Sequence, residues 1–291
     1  MEPQPNRTPL VVIVGETASG KSALALALAQ KFNGEIIAAD SRTLYLGIDI
    51  GTAKPTAAER AIVPHHLLDI TNPDRPITAA EYKRLAYEAI EDVLHRGKVP
   101  FLVGGTGLYI DAVVYDFSFA SKGDDSQRQK WQELSAQELA AELVARKIPL
   151  PTNRKNPRHL VRRLEIGENL PESKKIRPNT LILGLSIGRD KLEDRVSSRV
   201  DKMFAQGLED EVTGLVNRYG WESASMQTIG YQEFQGYLSG EITIVELKAL
   251  IKTHTLQYAK RQRSWFRRNK SIQWISKEEE AVDFITTFLN K

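Results

Sequence analysis

The 291-residue sequence contains no cysteine. That one absence excludes disulfides, a thiol nucleophile and any cysteine-built zinc site. No apolar run approaches the length of a membrane span. The opening stretch MEPQPNRTPL lacks the charged-then-apolar layout of a secretory signal and reads as a short disordered lead before the first strand. A cytoplasmic address with no membrane partner is therefore the default. Charge of one sign is also scarce: 40 Lys and Arg stand against 37 Asp and Glu, a formal net of +3, too small by itself to announce a nucleic-acid partner. Internal repeats and low-complexity tracts are missing as well. What remains is 41% hydrophobic and 26% charged, the balance of a globular chain with enough residues for one large domain or two smaller ones. Nothing in it demands more than a monomer.

Apolar runs ending in small or polar residues recur at LVVIVG, EIIAAD, VPFLVGG and TLILGLSI, with the β-branched content of buried parallel strands. Helical periodicity lies between them at KSALALALAQKF and TAAEYKRLAYEAIEDVLHRG, and again from about Ile242 to Arg268. This alternation predicts an α/β fold, a P-loop NTPase-like core with a parallel sheet flanked by helices, over residues 1–115 and 180–291. The stretch 116–179 reads differently. It opens on the loop DFSFASKGDDSQ, and the helical segments QRQKWQELSAQELAAELVARK and PRHLVRRLEIGE are separated by the Pro-containing IPLPTNRKNP, which predicts a small, mainly helical insertion domain.

GETASGKS follows the first apolar run and opens onto a helix. Its spacing fits G-x-x-x-x-G-K-[ST], with Gly15, Gly20, Lys21 and Ser22 in the fixed places. Such a loop turns consecutive backbone N–H groups, here from Gly15, Thr17, Ala18, Ser19 and Gly20, toward an anion at a helix N-terminus. Lys21 adds a mobile positive charge, and Ser22 offers a hydroxyl to Mg²⁺. A plain strand-to-helix turn would explain the glycines but not Lys-Ser at this offset. Asp40 ends the second run and would sit at a strand's carboxyl end beside the loop, either as a support for Mg²⁺ or as a catalytic base. GGTGLYI, Gly104 to Ile110, permits close backbone approach and supplies the Thr106 hydroxyl. Between His254 and Lys270 six Lys and Arg residues occur without one acid, interleaved with aromatics.

Eight segments in order resemble one family, the bacterial tRNA dimethylallyltransferases: GETASGKS, ADSRTLYLGIDIGTAKP, HHLLDI, GGTGLYI, NPRHLVRRLEI, RVDKMFAQGLEDEV, TIGYQEF and QYAKRQRSWFR. The resemblance implies transfer of a dimethylallyl group from dimethylallyl diphosphate to N6 of adenosine 37 beside the tRNA anticodon, with diphosphate as leaving group. It implies that Asp40 accepts from the adenine amine, Thr106 contacts the oxygen bridging carbon and diphosphate, and Arg199 clamps the diphosphate. It further implies tRNA contacts at Asp40, Ser41, Arg42, Thr43 and Gly105, at Arg158, Arg162 and Arg163 of the insertion, and at Gln257, Lys260 and Arg261 of the basic helix. On charge pattern alone Arg199 is an ordinary helix-surface residue, and a solvated helix face with Trp265 and Phe266 tucked into the core would explain much of the basic helix's pattern. Two positions depart from the family pattern. Glu16 stands where proline is usual, so it is expected to point outward or to weaken phosphate binding, and Thr43 replaces a longer glutamine. An ATP-dependent small-molecule kinase shares the loop, Asp40 and Mg²⁺, although no adenine pocket or lid arginine set is identifiable. A nucleotide-switched RNA-binding protein is the non-enzymatic alternative.

Overall fold

A computed structural model describes residues 8–117, 119, 125–151, 153–167 and 175–290. The first seven residues of the lead read from the sequence, and half of the loop 116–127, lie outside the described residues. The chain divides into two units, one comprising Met1–Tyr115 with Ile176–Lys291 and the other Asp116–Lys175.

The larger unit begins β1 (Leu10–Gly15), α1 (Lys21–Lys31), β2 (Gly34–Ala38), α2 (Ala57–Ile62), β3 (His65–His66), α3 (Ala79–His95), β4 (Val99–Gly104) and α4 (Gly107–Val114). The smaller unit carries α5 (Asp125–Gln132), α6 (Ala136–Ala145) and α7 (Pro157–Ile166). The larger then resumes with β5 (Thr180–Leu185), α8 (Arg189–Ala205), α9 (Leu208–Tyr219), α10 (Phe234–Leu238), α11 (Ile244–Phe266), β6 (Gln273–Ile275) and α12 (Glu278–Leu289). The four apolar runs form β1, β2, β4 and β5. The two- and three-residue strands β3 and β6 extend the sheet at its edges.

All six strands are parallel, in the order β3-β2-β4-β1-β5-β6. Alternation along β1 divides the core. Leu10, Val12 and Val14 pack with Tyr82, Ile90, Ile110 and Phe266 on one face, while Val11 and Ile13 pack with Ala25, Leu28 and Ile285 on the other. Because the strands are parallel, Gly15, Asp40 and Gly104 all emerge at the same edge of the sheet, where a parallel α/β fold places its ligands. At the opposite end Glu35, 2% exposed, meets an imidazole and two cations: His66 Nε2 and Arg96 Nη2 at 2.6 Å each and Lys98 Nζ at 2.8 Å. Burial works to raise the Glu35 pKa, but those hydrogen bonds hold it down at about 2.

A third core cluster fills the space between α8, α9 and α11 with Val200, Met203, Val212, Tyr231, Phe234 and Leu247, and Tyr45 and Ile48 from the chain after β2 join it. The smaller unit has its own core of Trp131, Leu139, Leu143, Leu160, Val161 and Leu164. Its first helical segment is divided at Ser135, whose hydroxyl accepts from Glu138 N in a capping box that starts α6 afresh. Residues Ile176–Asn179 belong with the larger unit: Arg177 N donates to Val114 O at 2.7 Å, and Ile176 packs on the core under β1.

Candidate active site

The loop Gly15–Ser22 joins β1 to α1, and α1 starts at Lys21 behind Gly20. Gly20 has φ of 99°, a left-handed conformation that side chains rarely adopt. A Cβ on Gly15 would lie 2.6 Å from Leu185 O, so strand β5 passes too close for any other residue. Two arginines one turn apart on α8 reach this loop. Arg195 Nη1 donates to Ser19 O at 2.7 Å, and Arg199 Nη1 donates to Thr17 Oγ1 at 3.3 Å while its Nη2 donates to Thr52 O at 3.0 Å. Ser19 is 2% exposed, and its N donates to Glu16 O at 3.2 Å, which closes the turn of the loop.

Helix α11 grips the same loop from the other side. Thr17 N donates to Gln262 Oε1 at 2.7 Å, and Gln262 Nε2 donates to Gly105 O at 3.0 Å. One side-chain amide thereby ties the end of β1 to the end of β4. Glu16 does not point out to solvent, as the sequence led us to expect. It is 2% exposed and held by Arg263, Nε to Oε2 at 2.7 Å and Nη2 to Oε1 at 2.5 Å. A bidentate guanidinium neutralises the carboxylate, which lets an acid occupy a phosphate loop.

Asp40 follows β2, and its Oδ1 accepts from Arg42 N at 2.9 Å. Thr106 caps α4; its Oγ1 accepts from Ser41 N at 3.0 Å, and the hydroxyl also meets Tyr258. Thr43 turns inward, donating to Asp40 O at 3.3 Å.

Two cavities open beside this group. One, of about 90 Å³, is lined on its loop side by Lys21, Ser22, Thr43 and Gly104. The other, about 350 Å³, is lined by Ser41, Arg42, Gln227, Thr228, Tyr258 and Arg261, with Val196, Met203 and Ile251 as its apolar wall. Thr17, Asp40, Thr52 and Arg199 line both. Burial brings the Lys21 pKa down to about 8, with Asp40 opposing the shift and Arg199 adding to it. Burial also lowers Arg199 against the pull of Asp40, and pushes the Tyr258 hydroxyl up to about 12. The junction thus holds two desolvated cations and one carboxylate, an arrangement that an anionic ligand would complete.

The long wall from residue 41 to residue 56 has no regular helix. Lys54 is buried at its centre, with Nζ 2.6 Å from Asp49 Oδ1, 2.5 Å from Asp69 Oδ1 and 2.5 Å from Tyr45 O. Glu211 of α9 accepts from the backbone N–H groups of Asp49 and Ile50 at 2.9 Å each, from Gly51 N at 3.1 Å and from Tyr231 Oη at 2.5 Å. These contacts fix Thr52, the acceptor for Arg199.

The structure brings together Gly15, Thr17, Ser19, Gly20, Lys21, Ser22, Asp40, Ser41, Arg42, Thr106, Arg199 and Arg261 in the larger unit. Gln257 and Lys260 lie exposed on α11. In the smaller unit Arg158 is exposed at the start of α7, and Arg162 donates to Glu165 Oε2 at 2.8 Å. Arg163 is 7% exposed, and its Nε donates to Pro149 O at 2.8 Å, which ties α7 to the chain before it. Sequence reasoning missed Arg195, Gln262, Arg263, Lys54 and Glu211. The four-residue offset of Arg195 and Arg199 on one predicted helix was the single local signal among them.

The parallel sheet with a glycine-rich loop between β1 and α1, two arginines over that loop and a carboxylate at the next strand's end define a phosphate-binding α/β protein of P-loop type. Comparison with known proteins narrows this further. Residues 43–269 match the family described as IPP transferase. The chain is 39% identical to a tRNA dimethylallyltransferase of Pelotomaculum thermopropionicum, covering 97% of this chain and 95% of that one, and 44% identical to one from Roseiflexus sp., covering 91% and 92%. Among solved structures it resembles the full-length tRNA isopentenylpyrophosphate transferase of Bacillus halodurans, with TM-score 0.77, 37% identity and coverage of 98% and 97%. A eukaryotic dimethylallyltransferase acting on tRNA also matches, with TM-score 0.77, 29% identity and coverage of 89% and 70%. The chain belongs to the IPP transferase family.

Proposed function

We propose that this chain transfers a dimethylallyl group from dimethylallyl diphosphate to N6 of adenosine 37 in the tRNA anticodon loop, releasing diphosphate. The observation that carries the reading is the pair of cavities sharing Thr17, Asp40, Thr52 and Arg199. The smaller cavity, with Lys21 and Ser22, suits the diphosphate. The larger admits a nucleobase turned out of its stack, which chemistry on a base edge requires.

At the junction the N6 lone pair attacks the allylic carbon, the carbon–oxygen bond breaks, and its electron pair leaves on the diphosphate. Arg199 and Lys21 stabilise that charge, and Arg195 braces the loop that receives it. Asp40 accepts the N6 proton, holding the amine in line before the step. The Thr106 hydroxyl, fixed by Ser41, contacts the bridging oxygen. Ser41, Arg42 and Arg261 line the nucleobase side, Gln257 and Lys260 contact the RNA beside it, and Gly105 supplies backbone. Thr43, bonded to Asp40 O, supports the carboxylate rather than reading the base. On the smaller unit Arg158 and Arg162 contact tRNA phosphates.

No cluster of three His, Cys, Asp or Glu side chains able to hold a metal occurs among the described residues. A single loop hydroxyl suits Mg²⁺, which commonly takes one or two protein ligands and completes its shell with substrate phosphates and water. Ser22 would hold it, and when bound it would neutralise diphosphate charge. No helix among the described residues is long and apolar enough to cross a membrane. The cytoplasm is where we place the reaction.

The test is transfer of label from dimethylallyl diphosphate into unmodified tRNA. Asp40→Ala is expected to bind tRNA nearly as wild type and to lose transfer by ~10² or more, the scale of a positioned acid-base group. Near-normal transfer by that variant would remove Asp40 as the base. Label absent from RNA while the terminal phosphate of ATP moves to a metabolite would establish a kinase.

A further inference from the structure

The end of helix α11 and the turn after it carry a pairing of aromatic and arginine whose second half the proposed chemistry does not use. Tyr258-Ala-Lys-Arg261 and Trp265-Phe-Arg-Arg268 place an aromatic residue and, three positions on, an arginine, with the two sets seven residues apart. Seven residues is close to two helical turns, so both aromatics lie on one face, separated by roughly 10 Å along the axis. In each set the guanidinium lies over the ring: Arg261 is 5.6 Å from the Tyr258 centroid, and Arg268 is 4.6 Å from that of Trp265. The first set lines the larger cavity. The second continues the same face outward.

Trp265 is not a core residue. Its neighbour Phe266 is 2% exposed and packs under β1, whereas Trp265 is 36% exposed with Leu108 exposed as well. The ring is nonetheless held. Its Nε1 donates to Asp111 Oδ2 at 3.1 Å, and it lies so close to α4 that a Cβ on Gly107 would meet Trp265 Cδ1 at 2.3 Å. With Gly107 packed against the indole and Arg268 layered over it, what the surface presents is a guanidinium–indole stack, whose planar outer side can take a base. Charge names the occupant. Lys260, Arg261, Arg267, Arg268 and Lys270 make no ion pair among the described residues, and no acidic residue occurs from His254 to Lys270. An anionic chain with exposed π-faces satisfies both features, whereas an apolar protein partner would leave five cations unmatched.

We infer that Trp265 and Arg268 form a stacking and phosphate-contact platform for the unpaired nucleotides flanking the extruded adenosine. The inference deepens the RNA-modifying reading of the site and rests on it. The platform tolerates any base, because every base has a π-face.

The experiment uses the full chain and anticodon stem-loop RNAs carrying 2-aminopurine immediately 5′ or 3′ of the target adenosine. Wild type is expected to quench at least one of the two probes on binding. Trp265→Leu should abolish that quench and raise the KM for tRNA about tenfold, within the range for loss of one base–aromatic stack. The KM for dimethylallyl diphosphate should be unchanged, which also reports that the variant is folded. Trp265→Phe should restore part of both signals. Arg268→Gln, at an exposed side chain, should weaken tRNA binding several-fold and reduce its salt slope by about one. Trp274→Leu, at the exposed β6 edge, should alter nothing. Unchanged tRNA KM and salt slope in both Trp265→Leu and Arg268→Gln would overturn the platform, as would wild-type binding that quenches neither probe. If wild type transferred no prenyl group to RNA at all, the reaction itself would fall, an outcome separate from any variant.

Discussion

Replacing Arg263 by methionine removes the guanidinium that holds Glu16 and leaves its carboxylate inside the phosphate loop. With 2% of Glu16 exposed, water reaches it poorly, and removal of one partner from such a pair costs about 3–5 kcal/mol. Arg263 keeps 23% of its side chain in solvent, which places the expected loss near the lower end, about 3 kcal/mol. A second effect falls on the ligand. A unit negative charge on the order of 8 Å from a phosphate, at an effective dielectric of about 20, opposes binding by about 2 kcal/mol, or roughly thirtyfold in affinity. Both effects arise from one charge, so both should be relieved by neutralising it. Arg263→Met is expected to lower the urea midpoint and raise the KM for dimethylallyl diphosphate, while Glu16→Gln with Arg263→Met recovers most of each. The assays are urea unfolding and steady-state transfer with the diphosphate varied, run as a double-mutant cycle. Additive effects in the double variant, or a wild-type KM in Arg263→Met, would refute the claim that Arg263 exists to silence Glu16.

Three further outcomes follow from the same contacts. Glu211→Gln puts an amide against backbone donors that Glu211 now accepts, so it should cost about 2–4 kcal/mol in urea unfolding and raise KM through loss of the fixed Thr52 carbonyl; an unchanged midpoint would show that the wall does not depend on it. Glu35 has a folded pKa of about 2 against an ordinary 4.5, so its stabilisation is present above pH 4.5 and is lost as pH falls toward 2. With Arg96 40% exposed, that contribution is set at about 2 kcal/mol, and Glu35→Gln should unfold with a flatter pH dependence over that window; parallel curves would refute it. Gly107→Ala should displace the Trp265 ring, lowering tRNA affinity while leaving diphosphate affinity intact, measured by filter binding and by titration with dimethylallyl diphosphate.

The sheet was legible because β1, β2, β4 and β5 are buried on both faces and therefore read as continuous apolar runs. At two and three residues, β3 and β6 are too short to carry any alternation. The glycine loop was legible because phosphate chemistry fixes Gly15, Gly20, Lys21 and Ser22 within eight positions. The parts that order the site were not, because their partners are remote in sequence. Glu16 is decided by Arg263, 247 positions away, and Asp49 to Gly51 by Glu211, about 160 away. Arg163 shows the same limit within one helix: a segment rich in arginine reads as a basic face, but its pattern does not reveal which guanidinium turns inward to a carbonyl.

The wall from residue 41 to residue 56 bears on how the molecule should behave over time. A stretch that looks like a lid in secondary structure is anchored internally by an ammonium and externally by a carboxylate, each with several partners. It has no reason to swing. Substrates should therefore meet a prepared surface, and warming should abolish turnover only where the whole unit melts, with no lower-temperature phase in which the fold survives and catalysis is already gone.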